Sequence, residues 1–158
     1  MEEECCPDID ISKWNDKETK WSNKTFYSMP LFLFFHMPLN FKSAIMKGFK
    51  QIEEKGYEKS DPMMLLEKEN GLFTGELLFA IKTPKKADPK LRKVSGTFLS
   101  KSLKGEYKDA GKLTKELIKA ATGKAGIIPK DYYYWYANCP GCAKTQGGAK
   151  IIAFARLE

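Results

Sequence analysis

Apolar and polar residues follow two rhythms along this chain, and they do so twice in the same order. Thr25 to Met37 is an aromatic and apolar run of extended character, after which Phe41, Ile45, Met46, Phe49 and Ile52 recur at intervals of three and four, the spacing of one helical face. Met63 to Leu66 and Leu72 to Ile81 then bracket a Glu-Asn-Gly turn as two further strands. The second half answers it. Val94 to Leu103 reads as a strand, Tyr107, Leu113, Leu117, Ile118 and Ala121 form a helical stripe, and Tyr132 to Ala137 and Ala149 to Leu157 are extended again. Asn40 stands where a helix cap is expected, while Gly56 and Gly123 are placed to end the two helices. Met29-Pro30 predicts a bulge or a break in the first strand, because proline has no N–H to give to a ladder.

Two βαββ units, residues 25–82 and 92–158, therefore follow an arm of residues 1–24 that packs by Trp14 and Trp21. The linker, residues 83–91, carries Pro84 and Pro89. The pattern predicts an α+β fold in which duplicated units form one antiparallel sheet, with two helices on one face and a cleft between the repeats. Such a cleft is where a ligand is expected.

Composition narrows the classes. A chain of 158 residues is the size of one domain and buries enough surface to fold without a staple. No apolar stretch approaches the ~20 residues of a membrane span. The acidic opening, Glu2-Glu3-Glu4, is the reverse of a signal peptide's basic start, and the expected setting is cytoplasmic. A net charge of +7 raises the question of nucleic acid, yet Arg92 and Arg156 are the only arginines. Base readout favours the planar guanidinium, so the lysines read as a solvated surface.

The segment Lys101-Ser-Leu-Lys-Gly-Glu-Tyr107, followed after a proline-containing loop by Tyr132-Tyr-Tyr-Trp-Tyr-Ala-Asn-Cys-Pro140, resembles the GyrI-like family, which includes the effector-binding domains of BmrR-type regulators. Gly105 and Tyr107 match that family's helix entry, with Glu106 in place of its proline. Tyr136 matches the family tyrosine, and Tyr134 falls where the family places a pocket glutamate. The resemblance spans residues 25–158 and implies a standalone protein that binds a small aromatic or hydrophobic molecule. A branch of the family resembles hydrolases that open strained electrophilic rings. The residues before the first strand are too few for a helix-turn-helix module, and no membrane or nucleic-acid partner is expected.

The pocket residues this suggests are Phe34, Glu76, Tyr107, Tyr134, Trp135 and Tyr136. Alternation sends Tyr132, Tyr134 and Tyr136 to one face of their strand and Tyr133 and Trp135 to the other. Aromatic walls give a large contact area at low entropic cost. Glu76 is a candidate for the missing carboxylate, with a surface ion pair as its simpler role. A phenol at position 134 is neutral at pH 7. His36, the sole histidine, is the one imidazole available for acid–base work, with a structural role as the alternative.

One motif departs from the family. Cys139-Pro-Gly-Cys142 falls in the hairpin between the last two strands, and with Cys5 and Cys6 the chain holds four thiols. Paired thiols support redox chemistry, a structural cross-link or half of a zinc site, and the sequence leaves these open. No other cofactor is expected. The function so read is small-molecule binding, with hydrolysis at the same place or thiol or zinc chemistry as alternatives.

Overall fold

A long first strand, a helix and a returning pair of strands recur in both halves, and the pairing explains why. The structure, a computed structural model, describes residues 9–35, 37–60, 64–138 and 140–157. They fall into two compact units: Trp21–Ser95, and residues 9–20 together with 96–157.

In the first unit β1 (Lys17–Phe34) is followed by the two-residue β2 (Met37–Pro38), α1 (Phe41–Glu54), β3 (Leu65–Glu69) and β4 (Thr74–Ala80). β4 lies between β1 and β3, antiparallel to both, with Tyr27 opposite Phe79 and Leu65 opposite Phe79 on its other side. The odd-numbered residues of β1 and β4 face α1: Tyr27, Met29, Leu31 and Leu33 pack with Leu77, Phe79, Ala44 and Ile52. Burying one such side chain contributes about 1.5–3 kcal/mol, so this face fixes the strand register.

β1 differs from the expectation at Pro30. The strand runs through it unbroken, with Pro30 opposite Glu76. The edge of Pro30 that lacks an N–H points away from β4, so no ladder bond is lost there. The Asn40 side chain occupies that edge instead, accepting from Phe32 N at 2.8 Å and donating to Pro30 O at 3.3 Å. Asn40 is thus spent on β1, and it makes no side-chain cap to the helix it precedes. The other end of α1 closes as expected: Gly56 adopts φ 70°, its N–H bonds Glu53 O, and Tyr57 N bonds Ile52 O. Those two bonds define a Schellman stop.

The second unit contains β5 (Leu91–Gly105), α2 (Ala110–Ala125), β6 (Tyr132–Tyr136), α3 (Pro140–Thr145) and β7 (Ala149–Arg156). β7 is central and antiparallel to β5 and β6. Leu113, Leu117 and Ala121 of α2 pack on Leu99, Ile151, Ala153 and Ala155. Gly123 does not stop this helix; it lies inside, and Gly126 with φ 76° ends it. A glycine can ride within a helix at a cost of ~1 kcal/mol, so composition alone misplaced the end.

The link between β6 and β7 is likewise more than a hairpin, since it contains α3. The opposite face of the second unit's sheet is covered by a 3-10 turn, Ile11–Trp14, whose indole meets Trp135 at 5.7 Å and Phe154 at 5.6 Å, both edge-on. Ser100 donates to Trp14 O at 2.6 Å and pins this turn.

Candidate functional site

The five-aromatic strand splits as its alternation requires. Tyr133 and Trp135 are buried on the face away from α2, against Phe98 and Trp14. Tyr132, Tyr134 and Tyr136 face α2 and are half-buried. The Tyr134 hydroxyl lies 2.8 Å from Thr114 Oγ1, and Thr114 gives its own proton to Ala110 O at 2.8 Å. Tyr134 is therefore the donor of the pair. Tyr132 donates to Pro129 O at 2.6 Å, and burial pushes its phenol above the ordinary tyrosine range.

In the first unit Glu76 sits on the face away from α1, next to Ser28 and Arg92. Its Oε1 accepts from Ser28 Oγ at 2.8 Å and from Arg92 Nε at 3.0 Å. Partial burial works to raise this carboxyl, but the Ser28 bond and the charge of Arg92 outweigh it and hold the group below its usual range. A carboxylate held so is a weak base. Phe34 is 57% exposed beyond this pair and meets Phe35 edge-on at 4.8 Å.

A carboxylate that the sequence reading passed over lies on the other face. Glu67 of β3 is only 2% exposed and stands opposite Leu77, among the residues turned toward α1. Charged carboxylates are rarely this buried without a purpose. Phe26 and Phe98 are both fully buried on the helix-free faces of their strands. With these two set as equivalents, Phe79 corresponds to Ala155 and Leu77 to Ala153 through the pairing. Glu67 opposite Leu77 then corresponds to Tyr134 opposite Ala153. The first repeat thus carries a carboxylate at the position where the second carries a phenol. The signal was present in the sequence: parity puts Glu67 on the same face as Leu65.

Of the residues expected in a pocket, Tyr134 and Tyr136 share the α2 face, whereas Trp135 of the same strand points the opposite way. Glu76 lies on the helix-free face of its own unit. Tyr107 is placed by its backbone alone, in a 3-10 turn, Tyr107–Asp109, ahead of α2. His36, Cys5, Cys6 and Cys139 lie outside the described residues. Cys142 is buried on α3, 4% exposed, beside the buried amides of Asn138 and Gln146. Among the described residues no three His, Cys, Asp or Glu side chains converge as a metal site. No helix among them is long and apolar enough to cross a membrane.

These elements define an α+β fold of the GyrI-like type. The C-terminal domain of EcmrR is similar over 89% of this chain and 94% of its own, with a TM-score of 0.64 at 11% identity. EcmrR in its DNA complex matches over 89% of this chain and 56% of its own, with a TM-score of 0.69 at 10% identity. A hydrolase from Listeria innocua matches over 90% of this chain and 91% of its own, with a TM-score of 0.59 at 9% identity. At such identities the likeness is one of fold. The chain belongs to the bacterial hydrolase family, whose model matches residues 1–157. No curated protein matches it significantly.

Proposed function

We propose that this protein takes up a small aromatic or hydrophobic molecule and hydrolyses it, with Glu67 as the acid–base group. The observation that carries the reading is a carboxylate 2% exposed on the helix side of β3, at the position matched by Tyr134 in the second repeat. Family membership and the fold shared with a described hydrolase favour turnover over binding alone. In this reading Glu67 accepts a proton from water as its oxygen attacks a carbon of a strained ring, the ring carbon–oxygen bond breaks, and the released alkoxide takes up that proton. Glu76 is the poorer candidate because Ser28 and Arg92 stabilise its charged form. A cytoplasmic setting belongs to the same proposal.

Styrene oxide, a small aromatic molecule with a strained electrophilic ring, is a suitable first probe. Wild-type protein is expected to incorporate solvent oxygen into the diol above the uncatalysed rate. Glu67→Gln should lose about 10²- to 10⁴-fold of that rate, the range general acid–base groups supply, while still binding the probe. Equal rates for wild type and variant would remove Glu67 from the chemistry. Binding without turnover in the wild type across further esters and epoxides would leave a sensor in the manner of the effector-binding fold.

A further inference from the structure

Two turns at one end of the first unit carry large apolar side chains into solvent. Phe32, Phe34, Phe35 and Leu39 lie around the end of β1 and ahead of α1, and Leu72 and Phe73 lie in the turn between β3 and β4; each is 44% to 66% exposed. Pairing of β1 with β4 brings the turns together. Leu33 N donates to Phe73 O at 2.8 Å, and the Phe35 ring meets Phe34 at 4.8 Å and Phe73 at 5.5 Å, edge-on in both cases. Half-exposed side chains of this size show on the order of 100 Å² apiece, so the six present about 600 Å², as much as the largest apolar patch of an ordinary monomer. Phe35 is moreover held at φ 46°, a left-handed conformation that a bulky residue adopts only under constraint. The ring carried by this strained position ends in the exposed cluster and not in the core.

The chain is free of Asp, Glu, Lys and Arg from Pro30 to Phe41 and again from Asn70 to Gly75. On the α1 side charge begins directly beyond the patch, and it is positive. Lys42, in the first turn, Lys47 and Lys50 are all exposed, and the helix has no acidic residue before Glu53. Lys42, Met46 and Lys50 are four residues apart and share one helical face, on which Met46 is also exposed. None of these three lysines pairs with a carboxylate among the described residues. On the other side Glu76 is neutralised by Arg92 at 3.0 Å, and Glu69 adjoins Lys68 in the chain. The border of the patch therefore carries an excess of positive charge.

We propose that this end of the first unit docks on an anionic lipid surface, with the phenylalanines in the headgroup layer and Lys42, Lys47 and Lys50 against the anionic headgroups. Aromatic rings favour the bilayer interface, and each lysine near an anionic membrane adds an attraction that salt screens. A second copy of the chain is the poorer occupant, because it brings the same lysines and the same net charge of +7. The expectation of no membrane partner rests on the lack of a spanning segment, and a surface contact needs none. Docking would bring the protein to where hydrophobic small molecules collect, yet it does not depend on their hydrolysis.

Co-sedimentation with phosphatidylcholine vesicles, with and without phosphatidylserine, tests the contact. Wild-type protein is expected to pellet with the phosphatidylserine vesicles and to be released by salt. Lys42→Gln with Lys47→Gln should weaken that binding roughly tenfold or more. Phe34→Ala with Phe73→Ala should weaken it by about tenfold or more while the circular dichroism of the folded protein is retained. No pelleting with either vesicle, or pelleting that either pair of substitutions leaves undiminished, overturns the proposal. A concentration-dependent dimer that Phe34→Ala with Phe73→Ala abolishes, without vesicle binding, also overturns it and assigns the patch to a second copy. Glu67→Gln should pellet as wild type does, so the docking surface and the hydrolytic reading fail separately.

Discussion

The two repeats fill the space between helix and sheet from opposite sides. In the first, the bulk comes from the strand: Phe79 is fully buried, and α1 meets it with Gly48, where an added Cβ would lie 2.2 Å from the ring. In the second, the strand offers Ala153 and Ala155, and α2 supplies the volume with Leu113 and Leu117. Interiors are packed to crystal-like density, so a small residue on one layer demands a large one opposite. The lesson is that the repeats share a backbone plan while their side chains are free to diverge, provided each layer complements its own partner. Polar positions have diverged under the same freedom, which is how Glu67 comes to stand where its counterpart is Tyr134.

The same chemical change should therefore have opposite effects in the two helices. Gly48→Ala drives a methyl group into the Phe79 ring and should destabilise the protein by about 2 kcal/mol, within the usual range for overpacking. Gly48→Ala with Phe79→Leu should recover most of that loss in urea denaturation. Recovery failing would mean that Gly48 matters for its backbone and not for the ring. Tyr134→Phe removes the bond to Thr114 and should cost about 1 kcal/mol. A larger loss would show that the phenol holds more than this one bond. Gly123→Ala, in open space on α2, should stabilise by up to about 1 kcal/mol, read as a raised midpoint.

The smallest expected effect separates the helix ends by pH. Near the end of α1, Asp88 accepts from Lys55 at 2.7 Å, from Tyr57 at 2.7 Å and from Lys90 N at 2.9 Å. The Lys55 bond above all, then those of Lys90 and Tyr57, lower its carboxyl from 3.8 to about 2. A depressed carboxylate stabilises the fold above its unfolded pKa, and this contribution fades as pH falls from 3.8 through about 2. Asp88→Asn should flatten stability across that window. Near the end of α2 the corresponding pair, Lys124 with Glu18 at 3.4 Å, is exposed on both sides. Glu18→Gln should change stability by no more than about 0.5 kcal/mol. Equal responses at the two sites would show that the Asp88 network is no stronger than a surface pair.

Much of this architecture was legible in the order of residues. The duplicated strand and helix rhythm, the Gly56 stop and the splitting of the tyrosine strand all follow from periodicity and from the freedom of glycine at positive φ. Pro30 misled because its effect depends on which edge of the strand lacks a donor, and only the pairing with β4 reveals that edge. Gly123 misled because two glycines three residues apart can each end a helix, and the choice fell on Gly126. The α3 turn was hidden because six residues are too few to display a helical period.

For the site, the sequence alone supplied the residue types: a rich aromatic strand, few arginines, and scattered carboxylates and lysines. Tertiary structure decided which of them are withdrawn from water. Glu76, a candidate from its strand, is stabilised as an anion by Ser28 and by Arg92, sixteen residues away in sequence. Glu67, unremarked in the sequence, is buried because neighbouring strands and helices close over it. Burial arises from long-range packing, and it is burial that turns an ordinary charged residue into a chemical candidate.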